Sequence, residues 1–534
     1  MADFYYKPGD SNMMISKFDK LYTNKRCITN DFNIFYNDNT TTHIELEGNS
    51  ITILGYVYTY HKSVEMYLQN LLSNFEEKQI DEIKKQLLGQ YIVIIHKENI
   101  LYLFSDFLQT RNIFYAANEK LVCSSFDVIH VLQENEINDY KAFEFLAMRH
   151  CLYPTWLGST TINNQIKRLR AYEYLKINTD SNDIQVGDIL LTIDNTKIES
   201  LKEINKYTRS TLQDALWHSK FQNEKIYTTI TGGFDSRLVT ALVQKYYTNT
   251  NLRISTQKNI SSLDQTIAQQ VAKALSSPLK IYETDSQRQI KDFYFITDGL
   301  APRENLTMTQ LFQSKNRGTL EFGGTFGTEL YTAYPYNHYN ELIEDYLCKT
   351  RKYIQADEIY YERFRQCLYD EFNNLHIHYK LKHEDPRDFI RIFQLLDTGY
   401  FSSSFISAFN IYGNQYEVFG TFPVIEAGLR IPYKYLGSKW TFGRFYLIPK
   451  ILMEKINRKV SKIETTHFCP MRPLSVISFI SYFLGRIKSK NYYKKQSKIQ
   501  NKDGETKILK TKHFQYTSTN WFEGFQMRYF PSQE

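Results

Sequence analysis

The chain has few cysteines: six in 534 residues, and no two of them form a Cys-x-x-Cys pair. This spacing argues against a zinc site and against the dense disulfide framework of small secreted proteins. The N-terminus lacks the basic and then apolar segments of a signal peptide, and the apolar run at 474–484 is too short to span a bilayer. Together, these absences favour a cytoplasmic protein.

A strong charge imbalance is also absent, since the formal net charge is only +7. The exception is the stretch from 486 to 512, where many lysines are accompanied only by the acids Asp503 and Glu505. This basic C-terminal tail favours contact with an anionic membrane surface or an acidic partner, and an ordinary solvated surface is the alternative. No nucleic-acid recognition motif accompanies the charge, so we expect no nucleic-acid partner.

A glycine-rich turn is the most informative local pattern. Residues 226–230 are β-branched or aromatic and predict a strand, while the apolar spacing of 238–243 predicts a helix. Between them lies Thr-Gly-Gly-Phe-Asp-Ser-Arg at 231–237, which matches neither a Walker A loop nor Gly-x-Gly-x-x-Gly. Glycines let backbone N–H groups approach an anion, and the following helix N-terminus adds partial positive charge. A plain glycine turn is the alternative, but strand, turn and helix in this order favour a phosphate-binding loop.

Two polar side chains extend this interpretation. Asp235 is suited to hold a Mg²⁺ ion that bridges phosphate oxygens, and Ser236 can donate its hydroxyl. The heptad resembles the pyrophosphate loop, Ser-Gly-Gly-x-Asp-Ser, of the asparagine-synthetase-like amide ligases, which adenylate a carboxylate with ATP and release pyrophosphate. Thr231 replaces the serine but keeps its hydroxyl, and Arg237 adds a cation beside the phosphates. The resemblance implies ATP and Mg²⁺ as cofactors, with Asp235 as the metal ligand.

Further segments resemble the family in the same chain order. Residues 252–256 predict the next strand, whose end lies against adenine in the family, and a helix-like stretch follows from Asp264. Residues 417–426 resemble the family's Glu-x-Arg-x-Pro-Phe-Leu-Asp segment. The residues that the resemblance implies for ATP and pyrophosphate are Thr231, Gly232, Gly233, Asp235, Ser236, Arg237, Ser255, Thr256 and Gly324.

The segment at 322–331 departs from the family's Ser-Gly-Glu-Gly-x-Asp-Glu-Leu-Phe. Thr325 stands where synthetases carry a glutamate near the reacting carboxylate, and Thr328 replaces the aspartate. Glu329 keeps the second acid and is a candidate acid–base group, with a purely structural glutamate as the alternative. The missing glutamate makes plain asparagine synthesis less favoured than other amide-forming reactions.

A catalytic lysine is implied late in the chain. In the family it stabilises charge on the developing tetrahedral centre. The matching segment here is 456–468, where Lys462 is the first candidate, Lys459 the second, and His467 a candidate acid–base group. Two lysines on a basic surface and a structural histidine are the alternatives.

The front of the chain resembles the family's glutaminase domain. Residues 50–132 alternate predicted strands with one helix, and the segment at 105–115 matches the domain's Arg-Asp-x-x-Gly-x-x-Pro-Leu-Tyr. Glutaminase activity needs a cysteine at the mature N-terminus, whose α-amino group serves as the base. The first thiol here is Cys27, and a leucine precedes Gly55 where the family has Asn-Gly. We therefore expect a retained sandwich without amidohydrolase activity.

The predicted fold is α/β, in two parts. Residues 1–180 form an Ntn-type αββα sandwich, and 181–198 are a polar linker. Residues 199–485 form a doubly wound parallel sheet with extra helices, the PP-loop ATP-pyrophosphatase domain, and 486–534 are the basic tail. Many of the 42 tyrosines and 36 phenylalanines are expected in the cores of these domains.

The resemblance implies an amide ligase that splits ATP into AMP and pyrophosphate, without intrinsic glutamine hydrolysis. Lasso-peptide cyclases and β-lactam synthetases are relatives that lack an active glutaminase and join a substrate amine to a substrate carboxylate. The expected substrate is a small-molecule, peptide or sugar carboxylate, in the tailoring of a peptide natural product or a polysaccharide. Two alternatives stay open: asparagine synthesis from free ammonia, and a non-catalytic homologue that binds nucleotide or substrate.

Overall fold

The computed structural model describes a large part of the chain. No helix in that part combines the length and hydropathy needed to cross a membrane. The described residues are 3–7, 21–36, 41–59, 63–132, 137–217, 221, 225–247, 250–257, 263–284, 294–295, 297–300, 319–332, 334–410, 414–436, 447–466, 468, 470, 484–485, 487–488, 490–492, 507–511, 513–518, 525 and 529.

The front of the chain forms two antiparallel sheets that stack face to face. The described strands are β1 (Asp3–Tyr6), β2 (Asn24–Thr29), β3 (Phe32–Tyr36), β4 (Thr41–Leu46), β5 (Asn49–Thr59), β6 (Leu87–Lys97), β7 (Ile100–Ser105), β8 (Phe114–Ala116), β9 (Leu121–Cys123), β10 (Lys167–Arg168), β11 (Glu173–Asn178) and β12 (Ile184–Asp188). One sheet has the order β10-β8-β9-β1-β3-β2 and the other β12-β11-β7-β6-β5-β4.

Alternation of side chains explains the stacking. In each strand every second residue faces the other sheet, and the apolar ones form a buried layer that includes Phe4, Ile34, Ile92, Leu103 and Val122. Helices cover both outer faces. They are α1 (Val64–Asn74) and α2 (Ile80–Gln86) on the second sheet, and α3 (Phe126–Leu132) on the first, followed by α4 (Asp139–Cys151). This is the predicted αββα sandwich.

The second part is built on a parallel sheet. Its described strands are β14 (Lys225–Thr229), β15 (Asn251–Gln257), β16 (Leu279–Thr284), β17 (Thr319–Gly323) and β20 (Asn414–Glu417), in the order β16-β15-β14-β17-β20. Helix α6 (Asp235–Tyr246) connects β14 to β15, and α7 (Leu263–Leu275) connects β15 to β16. The chain then returns to the other side of β14 for β17. This doubly wound order, as predicted, puts a switch point between β14 and β17, where such sheets leave a crevice at the carboxyl ends of their strands.

Helices surround this sheet. The two longest described helices, Glu358–His378 and Pro386–Asn410, lie largely within the stretch at 340–400, which lacks glycine and proline over most of its length. The described helices not yet named are α5 (Leu201–Leu216), α8 (Gly327–Tyr331), α9 (Tyr339–Tyr353), α10 (Glu358–His378), α11 (Pro386–Asn410), α12 (Phe422–Leu429), α13 (Tyr433–Leu436), α14 (Leu447–Ile456) and α15 (Arg458–Ser461), with 3₁₀ turns at Glu77–Gln79 and Val418–Gly420.

Two segments expected to be a linker and a tail contribute strands. In the linker, β12 extends the sandwich and β13 (Leu191–Ile193) pairs in parallel with β19 (Tyr379–Leu381). In the tail, β21 (Lys507–Lys510) and β22 (Phe514–Ser518) form a hairpin that pairs with β18 (Ile354–Ala356). Buried apolar side chains within otherwise polar segments, such as Leu191 and Tyr516, explain both differences. The domain boundaries themselves stay predictions.

A glutamine of the sandwich holds strand β20 in place. The buried Gln90 of β6 accepts a hydrogen bond from the Glu417 backbone N–H (2.8 Å), and its Nε2 donates to the Glu417 carbonyl (3.3 Å). Beside this pair, the Tyr58 hydroxyl is hydrogen-bonded to the Tyr416 hydroxyl. The first part of the chain therefore positions the last strand of the parallel sheet.

Replacing Gln90 by alanine should destabilise the protein by about 3 kcal/mol, because it leaves a buried N–H and a buried C=O of Glu417 without partners. The free energy of unfolding from urea titration measures the effect. Gln69→Ala on the exposed face of α1 is the control and should change stability by less than about 0.5 kcal/mol. Equal effects of the two substitutions would contradict this role for Gln90.

Candidate active site

The predicted phosphate loop lies between β14 and α6. The Ser236 Oγ accepts a hydrogen bond from the Thr231 backbone N–H (3.1 Å) and lies 2.8 Å from the Thr231 hydroxyl, while the Gly233 N–H donates to that hydroxyl (3.2 Å). The turn is thus shaped by its own hydroxyl groups. The acidic Asp235 occupies the first turn of α6, where the helix dipole favours negative charge.

Gly232 allows a close approach between this turn and two other segments. A Cβ atom there would lie 2.3 Å from the Thr466 Cγ2 and 2.8 Å from the Asp264 Oδ1. The Gly232 N–H donates to that Asp264 oxygen (2.5 Å), and the Thr466 N–H donates to the Gly232 carbonyl (3.0 Å). Asp264, predicted only to begin a helix, therefore fixes the loop.

Arg237 braces the loop from behind. Its buried guanidinium donates to the carbonyls of Gly232 (3.0 Å), Ile463 (3.0 Å) and Glu464 (2.6 Å). The side chain is not part of the cavity lining, so its placement does not support the expected cation beside the phosphates. This role could not be predicted from the sequence, because the segment that supplies two of the carbonyls is more than two hundred residues away.

A cavity of about 380 Å³ opens beside the turn, at the switch point of the sheet. The carboxyl ends of β14, β17 and β20, the first turn of α6 and the middle of α11 surround it. The lining residues are Tyr153, Thr229, Thr231, Gly233, Asp235, Ser236, Glu321, Gly323, Gly324, Thr325, Phe326, Thr328, Glu329, Thr398, Phe401, Ser402, Phe405, Gln415 and Glu417. Among the described residues the lining contains four acids and no lysine, arginine or histidine.

Asp235 has one oxygen in use and one without a partner. Its Oδ2 accepts a hydrogen bond from the Thr328 hydroxyl (2.8 Å), and its Oδ1 is buried with no hydrogen-bond partner within the described part of the chain. Burial raises the pKa of Asp235 to about 7, the Thr328 hydrogen bond opposes the rise and the charge of Glu329 adds to it. A Cβ atom on Gly327 would lie 2.5 Å from Oδ1, so glycine is needed there.

A second buried acid, Glu417, ends β20. Its Oε2 accepts a hydrogen bond from the Thr325 backbone N–H (2.8 Å), and its Oε1 accepts one from the Gln415 amide. Burial raises the pKa of Glu417 to about 7, although these hydrogen bonds oppose the rise.

The backbone is unusual at Phe326, the residue before Gly327. Its φ is +76°, a left-handed conformation that a bulky side chain rarely adopts and that tends to occur at functional sites.

The other two acids have different surroundings. Glu321 is ion-paired with Arg253 and accepts a hydrogen bond from the Thr229 hydroxyl, so its charge is compensated. Glu329 lies 3.4 Å from the Tyr153 hydroxyl, and burial raises the pKa of this glutamate. The sequence suggests no role for Tyr153, Glu321 or Glu417. Glu321 lies in β17, which pairs with β14, and Glu417 ends β20, which pairs with β17.

Gly232 and Arg237 lie in or beside the loop but do not line the cavity, and the other predicted site residues fall into three groups. Six of them line the cavity: Thr231, Gly233, Asp235, Ser236, Gly324 and Glu329. Ser255 and Thr256 lie on β15, with side chains outside the described residues, as is all of His467. Lys459 and Lys462 are exposed near α15, and Lys459 lines a different hollow, beside Gln244 and Ser277. The structure does not bring either lysine to the described cavity, and the choice between them stays a prediction.

This arrangement can bind an anion and a cation together. Backbone N–H groups and hydroxyls of the turn, at the N-terminus of a twelve-residue helix, suit phosphate oxygens. The free oxygen of Asp235 suits a hard cation. No cluster of three or more metal-ligating side chains occurs within the described ranges. Mg²⁺, however, usually takes only one or two carboxylates and completes its shell with water and phosphate oxygens, so Asp235 fits this ion.

No family model and no curated protein matches the chain. Three solved structures are similar over parts of it. Glutamine-dependent NAD⁺ synthetase from Acinetobacter baumannii with ADP is 12% identical over 39% of this chain and 47% of its own (TM-score 0.20). Glutamine PRPP amidotransferase from B. subtilis with ADP and GMP is 12% identical over 55% and 64% (0.21). A structure described as the allosteric regulatory enzyme of purine biosynthesis is 11% identical over 61% and 70% (0.20). The chain thus spans about half to two thirds of the first two.

Proposed function

We propose that this protein is an ATP-dependent ligase that adenylates a carboxylate, releases pyrophosphate and couples the acyl group to an amine. One observation carries the proposal: a buried, unpartnered carboxylate oxygen of Asp235 lies directly beside a hydroxyl-rich turn at a helix N-terminus, in a cavity at the switch point of a parallel sheet. Cation and polyphosphate binding meet there, which is what the ATP-cleaving step requires.

In this proposal the turn binds the departing diphosphate. The Gly233 N–H and the hydroxyls of Thr231 and Ser236 now satisfy one another, and they would turn to phosphate oxygens when ATP enters. Mg²⁺ held by Asp235 supplies charge neutralisation on the phosphates. Gly324 faces the start of α6 and allows the two segments to approach closely, since a Cβ there would lie 3.0 Å from the Ser236 nitrogen.

The chemistry follows from the poor reactivity of a carboxylate. Its oxygen attacks the α-phosphorus of ATP, which forms an acyl-adenylate and breaks the bond to pyrophosphate. The amine nitrogen then attacks the acyl carbon, AMP leaves and an amide results. A peptide, sugar or small-molecule carboxylate is the proposed substrate class, with tailoring of a natural product or polysaccharide as the setting.

A non-catalytic nucleotide-binding protein is the second candidate. Thr328 already occupies one oxygen of Asp235, and the described lining of the cavity supplies no cation to stabilise a transition state. Such a protein would bind Mg²⁺-ATP without cleaving it. Asparagine synthesis from free ammonia is a narrower version of the first proposal and needs no separate site.

Two measurements on the full chain separate these functions. Calorimetric titration with Mg²⁺-ATP tests nucleotide binding without a substrate, and pyrophosphate release is then followed with panels of carboxylates and amines, including aspartate with ammonium. A ligase binds nucleotide and releases pyrophosphate only with a suitable carboxylate. Binding without release on any panel favours the binding protein, and no affinity for Mg²⁺-ATP overturns both candidates.

A further inference from the structure

The wall of the cavity opposite the phosphate loop is aromatic. Tyr153, in the loop after α4, stacks on Phe401 of α11, with ring centroids 4.7 Å apart and planes at 9°. Phe405, one helical turn further, packs edge-on against Phe401 at 5.7 Å. All three line the cavity. Such a wall suits a flat or apolar organic group and offers no ligands to a bare inorganic ion.

Two polar side chains, Ser402 and Glu329, lie on the same wall. Ser402 is fully buried, and its Oγ lines the cavity without a hydrogen-bond partner within the described part of the chain. Glu329 is 3% exposed and contacts the Tyr153 hydroxyl at 3.4 Å. A group that donates several hydrogen bonds and carries positive charge would satisfy both residues.

The charge balance of the cavity points the same way. Within the described residues, Glu321 is the one of its four acids that has a cation beside it, namely Arg253. With Mg²⁺ on Asp235, the carboxylate of Glu329, which contacts Tyr153 of the aromatic wall, still has no cation beside it among the described residues. A second carboxylate-bearing substrate would be repelled there, whereas an ammonium group would gain a charge-assisted hydrogen bond and contact with the faces of aromatic rings.

We propose that Tyr153, Phe401, Phe405, Ser402 and Glu329 form the acceptor subsite for a primary amine, bound as an ammonium group on an aromatic or other apolar body. This inference rests on the proposed ligase function and names its second substrate class. The acceptor is then an organic amine and not free ammonia, because ammonia would leave the aromatic wall without a ligand.

Binding of a simple probe tests the subsite without ATP. Phenethylamine is titrated calorimetrically into the nucleotide-free full chain at pH 8, and 2-phenylethanol, which keeps the ring but has no charge, is the matched ligand. We expect phenethylamine to bind at least about tenfold more tightly than the alcohol. Glu329→Gln should remove this preference, and Phe401→Leu should weaken binding of both ligands by about threefold or more. Glu362→Gln, exposed on α10, is the control and should leave both affinities unchanged.

Equal affinity for the amine and the alcohol, an unchanged preference in Glu329→Gln, or no binding of phenethylamine to the parent would each overturn the subsite. If Glu329→Gln does not fold, as judged by circular dichroism, Ser402→Ala and the comparison of the two ligands decide. Mg²⁺-ATP affinity is measured on the same preparation. If the parent binds Mg²⁺-ATP but not phenethylamine, the subsite alone is refuted. If the parent binds phenethylamine but not Mg²⁺-ATP, the proposed function is refuted.

Discussion

Asp235→Asn should weaken Mg²⁺-ATP binding by about 10- to 100-fold, the range found when the surroundings of a metal ligand are altered, and should slow pyrophosphate release by roughly 100-fold or more. The amide keeps the size of the side chain and the acceptor for Thr328, but it removes the charge from the buried, unpartnered Oδ1. Calorimetry with Mg²⁺-ATP gives the first effect without knowledge of the carboxylate substrate. A variant that binds Mg²⁺-ATP like the parent would remove the metal assignment.

The same substitution should stabilise the empty protein at pH 8. Burial raises the pKa of Asp235 from 3.8 to about 7, so the folded state holds the proton more tightly than the unfolded state. Stability is then greatest below pH 3.8 and falls as pH rises through 7, which costs the parent roughly 4 kcal/mol at pH 8. Urea unfolding in EDTA measures the gain, with the exposed Asp370→Asn of α10 as control. A residue that lowers stability and raises activity is kept for function.

The fold was predictable where local signals are strong. The β-branched run before Gly232, the glycine pair and the apolar spacing after Asp235 are confirmed as β14, a turn and α6. The strands predicted within residues 50–132 are also confirmed, among them β5, β6 and β7. In these segments the pattern of apolar residues and the turn residues indicate the same structure.

The rest of the site could not be predicted because it depends on contacts between distant segments. Glu417 reaches the cavity because β20 pairs with β17. Tyr153 comes from the first part of the chain and meets Glu329 there. Arg237 shows the converse: its position beside the loop suggested a phosphate ligand, while the folded chain uses it to hold the carbonyls of Ile463 and Glu464. Chain order alone does not decide which way a long side chain extends.

Glu417→Gln should stabilise the protein relative to the parent, and this stabilisation should be larger at alkaline pH than at acidic pH. Burial raises the pKa of Glu417 from 4.5 to about 7. For an acid whose pKa is raised in the folded state, the favourable proton binding is fully present below 4.5 and is lost as pH rises through 7. The parent therefore loses about 2.5 kcal/mol from this group between pH 5 and pH 8, and the variant does not.

The glutamine is a close replacement, since its carbonyl oxygen still accepts from the Thr325 N–H, while the Gln415 amide turns to accept from the new NH₂ group. Urea unfolding of parent and variant at pH 5, 6, 7 and 8 gives the difference in free energy of unfolding at each pH. We expect that difference to move by about 2.5 kcal/mol in favour of the variant across the series, most steeply between pH 5 and 7. Glu362→Gln at the surface should give a flat series. A flat series for Glu417→Gln as well would mean that water or a bound cation already compensates this carboxylate.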